Sequence, residues 1–287
     1  MLCPNCKSQN IEIFHDKVWS LDDGKVYKCN SCELLFIAPM MSDDEERKFY
    51  ENYNQHVQNR GMTVEKSVEE FHQKSLPTAR ERLAVLQKYF NNKKILEIGS
   101  STGAFLSLLE NCKTNACELA TDNLHFSKQF INGRAYKALE DVNENNFDII
   151  CMFHVFEHIK EPIKFLKSCA KLLKPDGLII IEVPHSNDPL LTLYDCQEFK
   201  DFVFQPMHPM IYNKPSLDYV FHQSNLENSE VIYHQRYGLE NHLSWFKNKK
   251  AGGDIQLTEL FSKVKEYKEV LESIKLTDTI FYIARAK

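Results

Sequence analysis

Several hallmarks of common protein classes are missing from this sequence. No apolar run approaches the ~20 residues of a membrane-spanning helix, and the N-terminus, MLCPNCKSQN, has no apolar signal-peptide core. Positive charge is not in excess, because 35 lysines and arginines stand against 40 acidic residues, a formal net charge of −5. Surfaces that bind nucleic acid or anionic membranes are usually basic, so neither partner is expected. The composition indicates a globular protein of the cytoplasm.

Disulfides are also unexpected. The nine cysteines are an odd number spread along 287 residues, so free thiols and metal ligands are favoured. Two C-x-x-C pairs, CPNC and CNSC, can complete a tetrahedral zinc site with no position open for catalysis. The alternatives are turns without metal, or a redox pair, which would favour one C-x-x-C at a helix start. Because zinc would explain how so short a segment folds, we predict a structural ion on Cys3, Cys6, Cys29 and Cys32.

The N-terminal 40 residues are therefore predicted to form a zinc-ribbon-like module. This segment contains four lysines, five acidic residues and no arginine. Such a balance is a poor electrostatic footprint for phosphate groups. The expected role is packing against the main domain rather than binding nucleic acid.

Residues 41–80 have a polar, helical pattern and predict a helical cap or lid. Ser42 is the expected N-cap of its first helix. Tyr50 and Tyr53 lie at helical spacing and are candidates to reach a ligand, with helix packing as the alternative. A loop or lid is expected in NRGMTVEKSVEE, and Pro77 is expected to begin a further helix.

Apolar strands alternate with helices through the third segment, residues 81–287. This pattern predicts an α/β fold with a parallel sheet covered on both faces. A long amphipathic helix is expected over 256–274. The other predicted helices are 103–111, 124–131 and 161–173, and the predicted strands are 94–98, 114–117, 133–137, 147–152, 178–183 and 280–284.

The turn after the first of these strands, in ILEIGSSTGAFL, lacks the middle glycine of a Gly-x-Gly-x-Gly loop. Gly99 and Gly103 let the backbone approach a ligand, and a helix starting near Gly103 would offer free N–H groups to an anion. The middle position, which normally accommodates a pyrophosphate, is Ser101, so a smaller anion such as an amino-acid carboxylate is favoured. Glu118 follows Glu97 by 21 residues and ends the second strand, where a carboxylate can accept both ribose hydroxyls.

Four segments in this order resemble the class I S-adenosylmethionine-dependent methyltransferases: ILEIGSSTGAFL, ACEL, FDIICMFHVFEHIKEP and LKPDGLIIIEVP. The resemblance covers residues 95 to about 183. It implies S-adenosyl-L-methionine as the cofactor and a Rossmann-like, mostly parallel sheet whose last strand is antiparallel. It implies a cofactor site formed by Glu97, Gly99, Ser101, Gly103, Glu118, Leu139, Glu140, Phe153 and His154.

The same resemblance assigns parts of the cofactor to these residues. Glu118 would hold the ribose diol, and Leu139 and Glu140 would bracket the adenine. Phe153 and His154 would lie beside the methyl-bearing sulfur. A solvated loop position for Glu140 and a core position for Phe153 are the alternatives.

The N-terminal segment resembles the zinc-binding N-terminus of bacterial methyltransferases of deoxysugar and surface-glycan pathways. The sugar C-methyltransferases of that group carry an additional C-terminal domain, and too few residues follow the fifth core strand here for such a domain. This favours O-methyl transfer to a hydroxyl of a sugar, a nucleotide-sugar or a related small polar metabolite.

Transfer to a hydroxyl calls for a base, and histidine suits that task near neutral pH. His208 lies in FVFQPMHPMIYNKPSLDYVFHQS, which resembles a family segment containing a Glu-His pair, although Met207 takes the glutamate position here. His185 directly follows the fifth strand, in a substrate-binding insertion predicted at about 185–225. The alternative for each histidine is a packing or loop position. The candidate bases are His208, His154 and His185, with His158 as a further candidate.

Two other functions stay open. One is an RNA methyltransferase that uses the zinc module to bind RNA, although the acidic balance counts against it. The other is a cofactor-binding module without catalysis. The segment QRYGLENHLSWFKNKKAGG groups Arg236 with aromatic residues as a candidate sugar or nucleotide surface. The expected partner is a small molecule, and the oligomeric state is left open.

Overall fold

The fold is taken from a computed structural model. Tyr53 and the side chain of Tyr50 lie outside the described residues, so their contact with a ligand stays a prediction. The loop predicted over 59–70 falls partly outside them as well. The structure describes residues 1–51, 58, 59, 64 and 66–286.

Strands and helices alternate along most of the chain. The strands are β1 (Ile11–His15), β2 (Lys25–Cys29), β3 (Leu35–Ala38), β4 (Lys94–Ile98), β5 (Lys113–Cys117), β6 (Ala135–Tyr136), β7 (Phe147–Phe153), β8 (Leu173–Pro184), β9 (Met210–Ile211), β10 (Leu226–His234) and β11 (Thr279–Ala286). The helices are α1 (Asp43–Glu51), α2 (Val68–Leu86), α3 (Thr121–Ser127), α4 (Pro162–Ala170), α5 (Gln197–Val203), α6 (Lys214–Gln223), α7 (Leu239–Asn248), α8 (Ile255–Phe261) and α9 (Lys265–Ser273). Short 3-10 turns lie at Gln87–Tyr89, Leu106–Leu108, Leu139–Asp141 and Phe156–His158.

A seven-stranded sheet in the order β10-β11-β8-β7-β4-β5-β6 forms the centre of the molecule. The strands from β8 to β6 are parallel, and β11 is antiparallel to both of its neighbours. The central strands are buried on both faces, as Leu96, Ile150 and Ile180 show with no exposed surface. The predicted α/β, Rossmann-like sheet with its antiparallel last strand is confirmed. Its carboxyl edge, where β4, β5, β7 and β8 end, is the expected place for ligands.

The helix predicted over 103–111 is wrong, because the structure has only the short turn Leu106–Leu108 there. Ser107 N still donates to Gly103 O at 2.9 Å, but the chain extends again at Leu109. The adjacent side chains of Phe105 and Leu106 are both buried, so the segment cannot keep one face toward solvent as an amphipathic helix does. The N–H groups at this turn therefore lack the macrodipole of a long helix.

Other helix boundaries also differ from the prediction. The helix predicted over 256–274 is divided into α8 and α9 because Val264, between them, has a non-helical backbone. Pro77 does not begin a helix but lies inside α2, which starts nine residues earlier at Val68. There the Ser67 side chain accepts a hydrogen bond from Glu70 N at 3.2 Å, and this cap outweighs the proline signal.

The N-terminal segment forms a second sheet in the order β1-β2-β3-β9. Its last strand, β9, comes from the predicted substrate insertion, and Leu35 pairs with Ile211 in antiparallel register. Asn213 Nδ2 also donates to Glu33 Oε2 at 3.1 Å. The N-terminal module thus shares its sheet with the chain around His208. Among the helices in the described part of the chain, none is long and apolar enough to cross a membrane.

Candidate active site

The loop after β4 is a narrow turn of left-handed residues. Gly99 and Gly103 have φ angles of +69° and +76°, and Ser101 adopts φ +49° between them. A Cβ atom on Gly99 would lie 2.3 Å from Val155 Cγ2, so only glycine fits there. The serine keeps a conformation that L-residues rarely adopt, which means that the loop retains its shape without the middle glycine.

The end of β5 is tied to this loop through Glu118. Its Oε2 atom accepts from Ser101 N at 2.8 Å, and its Oε1 atom accepts from Ala120 N at 2.8 Å. The carboxylate is only partly buried, so its remaining lone pairs face outward. The structure therefore brings together the two predicted parts of the cofactor site, which are separate in sequence.

Glu97 contributes a buried carboxyl group behind the loop. Its side chain is 4% exposed, and among the described residues its Oε2 atom finds no hydrogen-bond partner. Burial raises the pKa of Glu97 to about 8, and the nearby Arg82 guanidinium only partly opposes this shift. An orphaned buried oxygen of this kind calls for a ligand or a water molecule to pair with it.

The adenine and sulfur positions of the resemblance also fall at the carboxyl edge of the sheet. Leu139 is partly buried and Glu140 is exposed in the turn that follows β6. Phe153, at the end of β7, is 7% exposed. Its ring lies 4.7 Å from that of Phe105, and Arg82 Cζ lies 4.3 Å from its centroid. Phe153 thus takes the core position that was its alternative, with one face toward Arg82.

His72, a residue of α2 that the sequence did not indicate, packs against the loop after β4. His72 Nδ1 lies 3.1 Å from Thr102 Oγ1, and the imidazole stacks on Phe130 with ring centroids 4.4 Å apart. Burial lowers the pKa of His72, so the ring is neutral near pH 7. A lone histidine in a polar helical segment gives no recognisable signal, which is why this contact was missed.

His154 lies directly after β7 between two carboxylates. Its Nε2 atom is 3.1 Å from Glu182 Oε1, and its Nδ1 atom is 3.4 Å from Glu157 Oε1. Burial lowers the pKa of His154, but Glu182 and Glu157 outweigh it and raise the pKa to about 9. His154 is therefore a cation near neutral pH. Its backbone has φ +55°, a strained conformation that is typical of functional positions.

Arg236 lies next to the same imidazole. Its Nη1 atom is 2.8 Å from His154 Nε2 and 4.0 Å from Glu182 Oε1. A guanidinium can donate to Nε2 only when the imidazole is neutral. When His154 is protonated, Nη1 and Nε2 are both donors, and Glu182 Oε1 is the acceptor close to both of them. Arg236 belongs to the segment predicted as a sugar or nucleotide surface, and the structure turns it toward the candidate site.

Glu182 organises this group from the middle of an apolar strand. It is 2% exposed, hydrogen-bonds to Arg82 from α2, and pairs with His154. Burial alone would raise its pKa, yet His154 and Arg82 hold the pKa well below its usual range. Sequence reasoning missed this residue, although an acidic residue within IIIEV is a signal, because a buried carboxylate needs a charged partner.

A second group of side chains lies beside His154. Glu157 has no exposed surface, and its ligand oxygen lies within 4.8 Å of ring nitrogens of both His158 and His208. The two imidazole centroids are 4.7 Å apart at an angle of 83°. Gln205 Nε2 lies 3.3 Å from His208 Nδ1. The structure thus brings His208, from the predicted insertion, to the loop that follows β7.

Comparison with known proteins identifies the family of the chain. A family described as "Methyltransferase domain" matches residues 68–231, more than half of the chain. The chain belongs to this methyltransferase family. A "SAM dependent methyltransferase" from Archaeoglobus fulgidus has a TM-score of 0.50 at 17% identity, over 81% of this chain and 99% of that one. A chain from the Haloferax volcanii complex of the Trm112 methyltransferase activator with a methyltransferase has a TM-score of 0.52 at 12% identity, over 78% and 99%.

Curated relatives match the methyltransferase over shorter stretches. A ubiquinone biosynthesis O-methyltransferase from Neisseria meningitidis is 25% identical over 111 residues, 33% of this chain and 45% of the relative. One from Parvibaculum lavamentivorans is 33% identical over 72 residues, 25% of this chain and 27% of the relative. The chain spans less than half the length of these relatives. Together with the fold, these matches show that the chain contains a methyltransferase domain.

The residues of the cofactor loop fit S-adenosylmethionine. The left-handed turn gives a ligand close access to the backbone, the Glu97 oxygen lacks a partner, and the Glu118 carboxylate keeps free lone pairs. On this basis we propose that Glu97 and the loop from Gly99 to Gly103 contact the methionine and ribose end of the cofactor, and that Glu118 contacts the ribose diol.

His185, the third candidate base of the methyltransferase, is placed differently from His154 and His208. It is 1% exposed, and its Nδ1 atom lies 3.1 Å from Thr277 O. Burial lowers the pKa of His185 to about 4. This environment favours its packing alternative over a role as base.

Two aromatic members of the predicted sugar surface are internal, whereas Tyr237 is 48% exposed. Trp245 is 5% exposed and packs edge-on against Phe199, with ring centroids 5.1 Å apart. His242 is 1% exposed, and its Nδ1 atom lies 2.6 Å from Tyr267 Oη. From this segment, Arg236 contacts the histidine group described above.

The four cysteines of the N-terminal module have the geometry of a metal site. The Cys3 and Cys32 Sγ atoms are 3.6 Å apart, those of Cys6 and Cys29 are 3.5 Å apart, and all four lie within 4.8 Å of one another. Zinc–thiolate bonds of about 2.3 Å in a tetrahedron place the sulfurs about 3.8 Å apart. The donor set suits a structural zinc ion, which stays a proposal.

Proposed function

We propose that this enzyme transfers the methyl group of S-adenosylmethionine to a hydroxyl group of a small polar metabolite, a sugar or a nucleotide-sugar. The observation that carries the proposal is the position of His208. It lies beside the loop after β7, where His154 occupies the position assigned to the sulfur end of the cofactor. Groups that can take a hydroxyl proton thus lie next to groups that hold the methyl donor.

The chemistry needs little from the protein besides alignment and proton removal. When bound, S-adenosylmethionine supplies a methyl group that its sulfonium already makes reactive. Arg236 and the His154–Glu182 pair offer charged contacts that hold a polar acceptor in line. His208 then accepts the hydroxyl proton as the methyl group arrives. His154 is a poor base, because its pKa of about 9 keeps it protonated near neutral pH.

Two further features support a small polar acceptor in the cytoplasm. The charge balance of −5 is unfavourable for RNA. All nine cysteines are free thiols, as is typical of proteins in reducing compartments. The curated relatives are named O-methyltransferases, which agrees with transfer to oxygen.

The test is a screen of acceptors with S-adenosylhomocysteine formation as the readout. The panel contains free sugars, nucleotide-sugars, hydroxylated aromatic compounds, amines and bulk RNA. We expect turnover with a sugar or nucleotide-sugar, a product methylated on oxygen, and loss of turnover in His208→Ala. Methylation of carbon, nitrogen or RNA alone would overturn the proposal. His222→Ala is the control, because His222 is exposed on α6.

A further inference from the structure

Glu157 is an unusual buried carboxylate. It has no exposed surface, and neither carboxylate oxygen makes a hydrogen bond to any residue that the structure describes. Its contact with His154 Nδ1, 3.4 Å away, is an ion pair without hydrogen-bond geometry. Leaving a buried carboxylate without hydrogen bonds is costly. A cation that binds both oxygens, or one of them, is a direct way to satisfy it.

The neighbours of Glu157 are suited to hold such a cation. One carboxylate oxygen and one nitrogen from each of His158 and His208 lie within 4.8 Å of one another. His158 Nδ1 is buried and, within the described chain, makes no hydrogen bond either. Two imidazoles and one carboxylate are a common ligand set for divalent transition metals, with positions left for water or substrate.

We propose that Glu157, His158 and His208 form a binding site for a divalent transition-metal cation such as Zn²⁺, Mn²⁺ or Co²⁺. The site is chemically distinct from the four-cysteine cluster. It has nitrogen and oxygen donors and three protein ligands instead of four thiolates.

The cation would promote loss of the proton from the acceptor hydroxyl. This role rests on the proposed function. A hydroxyl group held by a divalent cation has a lowered pKa, so its proton is released to solvent near neutral pH. The methyl carbon then forms its bond to that oxygen and breaks its bond to sulfur, which leaves a neutral thioether. His208 would act on the hydroxyl through the cation when metal is bound, and directly when it is not.

Metal binding is tested on the full-length enzyme without cofactor or acceptor. Protein dialysed against a weak chelator is titrated with Mn²⁺, which thiolates bind poorly, and free Mn²⁺ is measured by electron paramagnetic resonance. We expect one Mn²⁺ per chain. The absorption of a Co²⁺ adduct should show the weak visible bands of nitrogen and oxygen ligands, without intense sulfur-to-cobalt bands.

Matched variants identify the ligands. Glu157→Gln and His208→Asn should weaken Mn²⁺ binding by at least 100-fold, whereas His222→Asn, at an exposed position, should leave it unchanged. Should Glu157→Gln fail to fold, His208→Asn, at a partly exposed position, decides the question. Absence of Mn²⁺ binding, or equal affinity in His208→Asn, would overturn the metal site.

The two proposals fail separately. Stoichiometric Mn²⁺ binding by an enzyme that methylates only nitrogen or carbon supports the metal site and overturns the O-methyl proposal. Conversely, O-methyl transfer by an enzyme that binds no Mn²⁺ overturns the metal site alone.

Discussion

The two sides of the candidate site are built in different ways. The part of the cofactor side assigned to the methionine and ribose groups comes from one short stretch, residues 97–118, in which a turn with three left-handed residues meets the carboxylate at the end of the next strand. The acceptor side combines residues from α2, the ends of β7 and β8, the segment before β9, and the chain after β10. A local pattern can specify the first side. The second depends on how distant segments pack.

The two sides also pack against different sheets. The acceptor side touches the N-terminal module, because β9, two residues after His208, completes the sheet of β1, β2 and β3. The cofactor side rests on the central parallel sheet. Unfolding of the N-terminal module should therefore disturb the acceptor side of the site and leave cofactor binding unchanged.

The strongest way to separate the two sides is to remove the proposed zinc. Cys29→Ser should unfold the N-terminal module, because metal binding supplies on the order of 10 kcal/mol to such modules. We expect turnover to be lost, while calorimetry still detects S-adenosylhomocysteine at near wild-type affinity. Elemental analysis should give one zinc ion per chain fewer in the variant than in the wild type. Metal-free protein with an intact module would show that the four cysteines hold no zinc.

The acceptor side is tested next by His208→Ala. A positioned base, or a ligand that supports the same proton loss, contributes roughly 10²–10⁴-fold to the rate. We expect turnover to fall by that factor, with cofactor affinity unchanged. If turnover stays near normal, His154→Ala and then His185→Ala are the next variants. Activity in all three would mean that alignment alone carries the reaction.

The cofactor side is tested by Glu118→Ala. Loss of the charged acceptor for the ribose diol should weaken cofactor binding by about 2 kcal/mol. Mn²⁺ binding to the Glu157 group should not change, since that group lies on the other side of the site. Glu110→Ala, at an exposed position, is the matched control. Calorimetry with S-adenosylhomocysteine gives the affinities, and equal binding by the two variants would refute the assignment of Glu118.

The sequence predicts the cofactor side of the site far better than the acceptor side. The strands, their alternation with helices and the cofactor loop could be predicted, because apolar runs and glycine spacing are local features of the sequence. The Arg82–Glu182 pair and the burial of Glu157 depend on contacts between distant segments, and hydrophobic periodicity does not report such contacts. The length of the helix after Gly103 was overestimated for the same reason. Two adjacent side chains, Phe105 and Leu106, are both buried there by contacts with distant residues.

The smallest expected effect concerns the pH dependence of cofactor binding. Burial raises the pKa of Glu97 to about 8, so in the free enzyme this carboxyl group is mostly protonated at pH 6.5. We propose that it lies near the ammonium group of the cofactor, which keeps its proton below its pKa of about 7.7–8.0. The ammonium favours the ionised carboxylate. Binding then requires Glu97 to lose a proton.

That proton loss costs less as the pH rises toward 8. We therefore expect affinity for S-adenosylhomocysteine to increase between pH 6.5 and 7.5, by no more than about tenfold, since one proton changes affinity by at most tenfold per pH unit. Glu97→Gln, which keeps the shape and removes the ionisation, should bind more weakly at pH 7.5 and show a flat profile. Calorimetry in two buffers with different ionisation enthalpies should detect the released proton in the wild type and none in the variant. An equally steep profile in Glu97→Gln would assign the ionisation to another group and leave Glu97 with a purely structural role behind the loop.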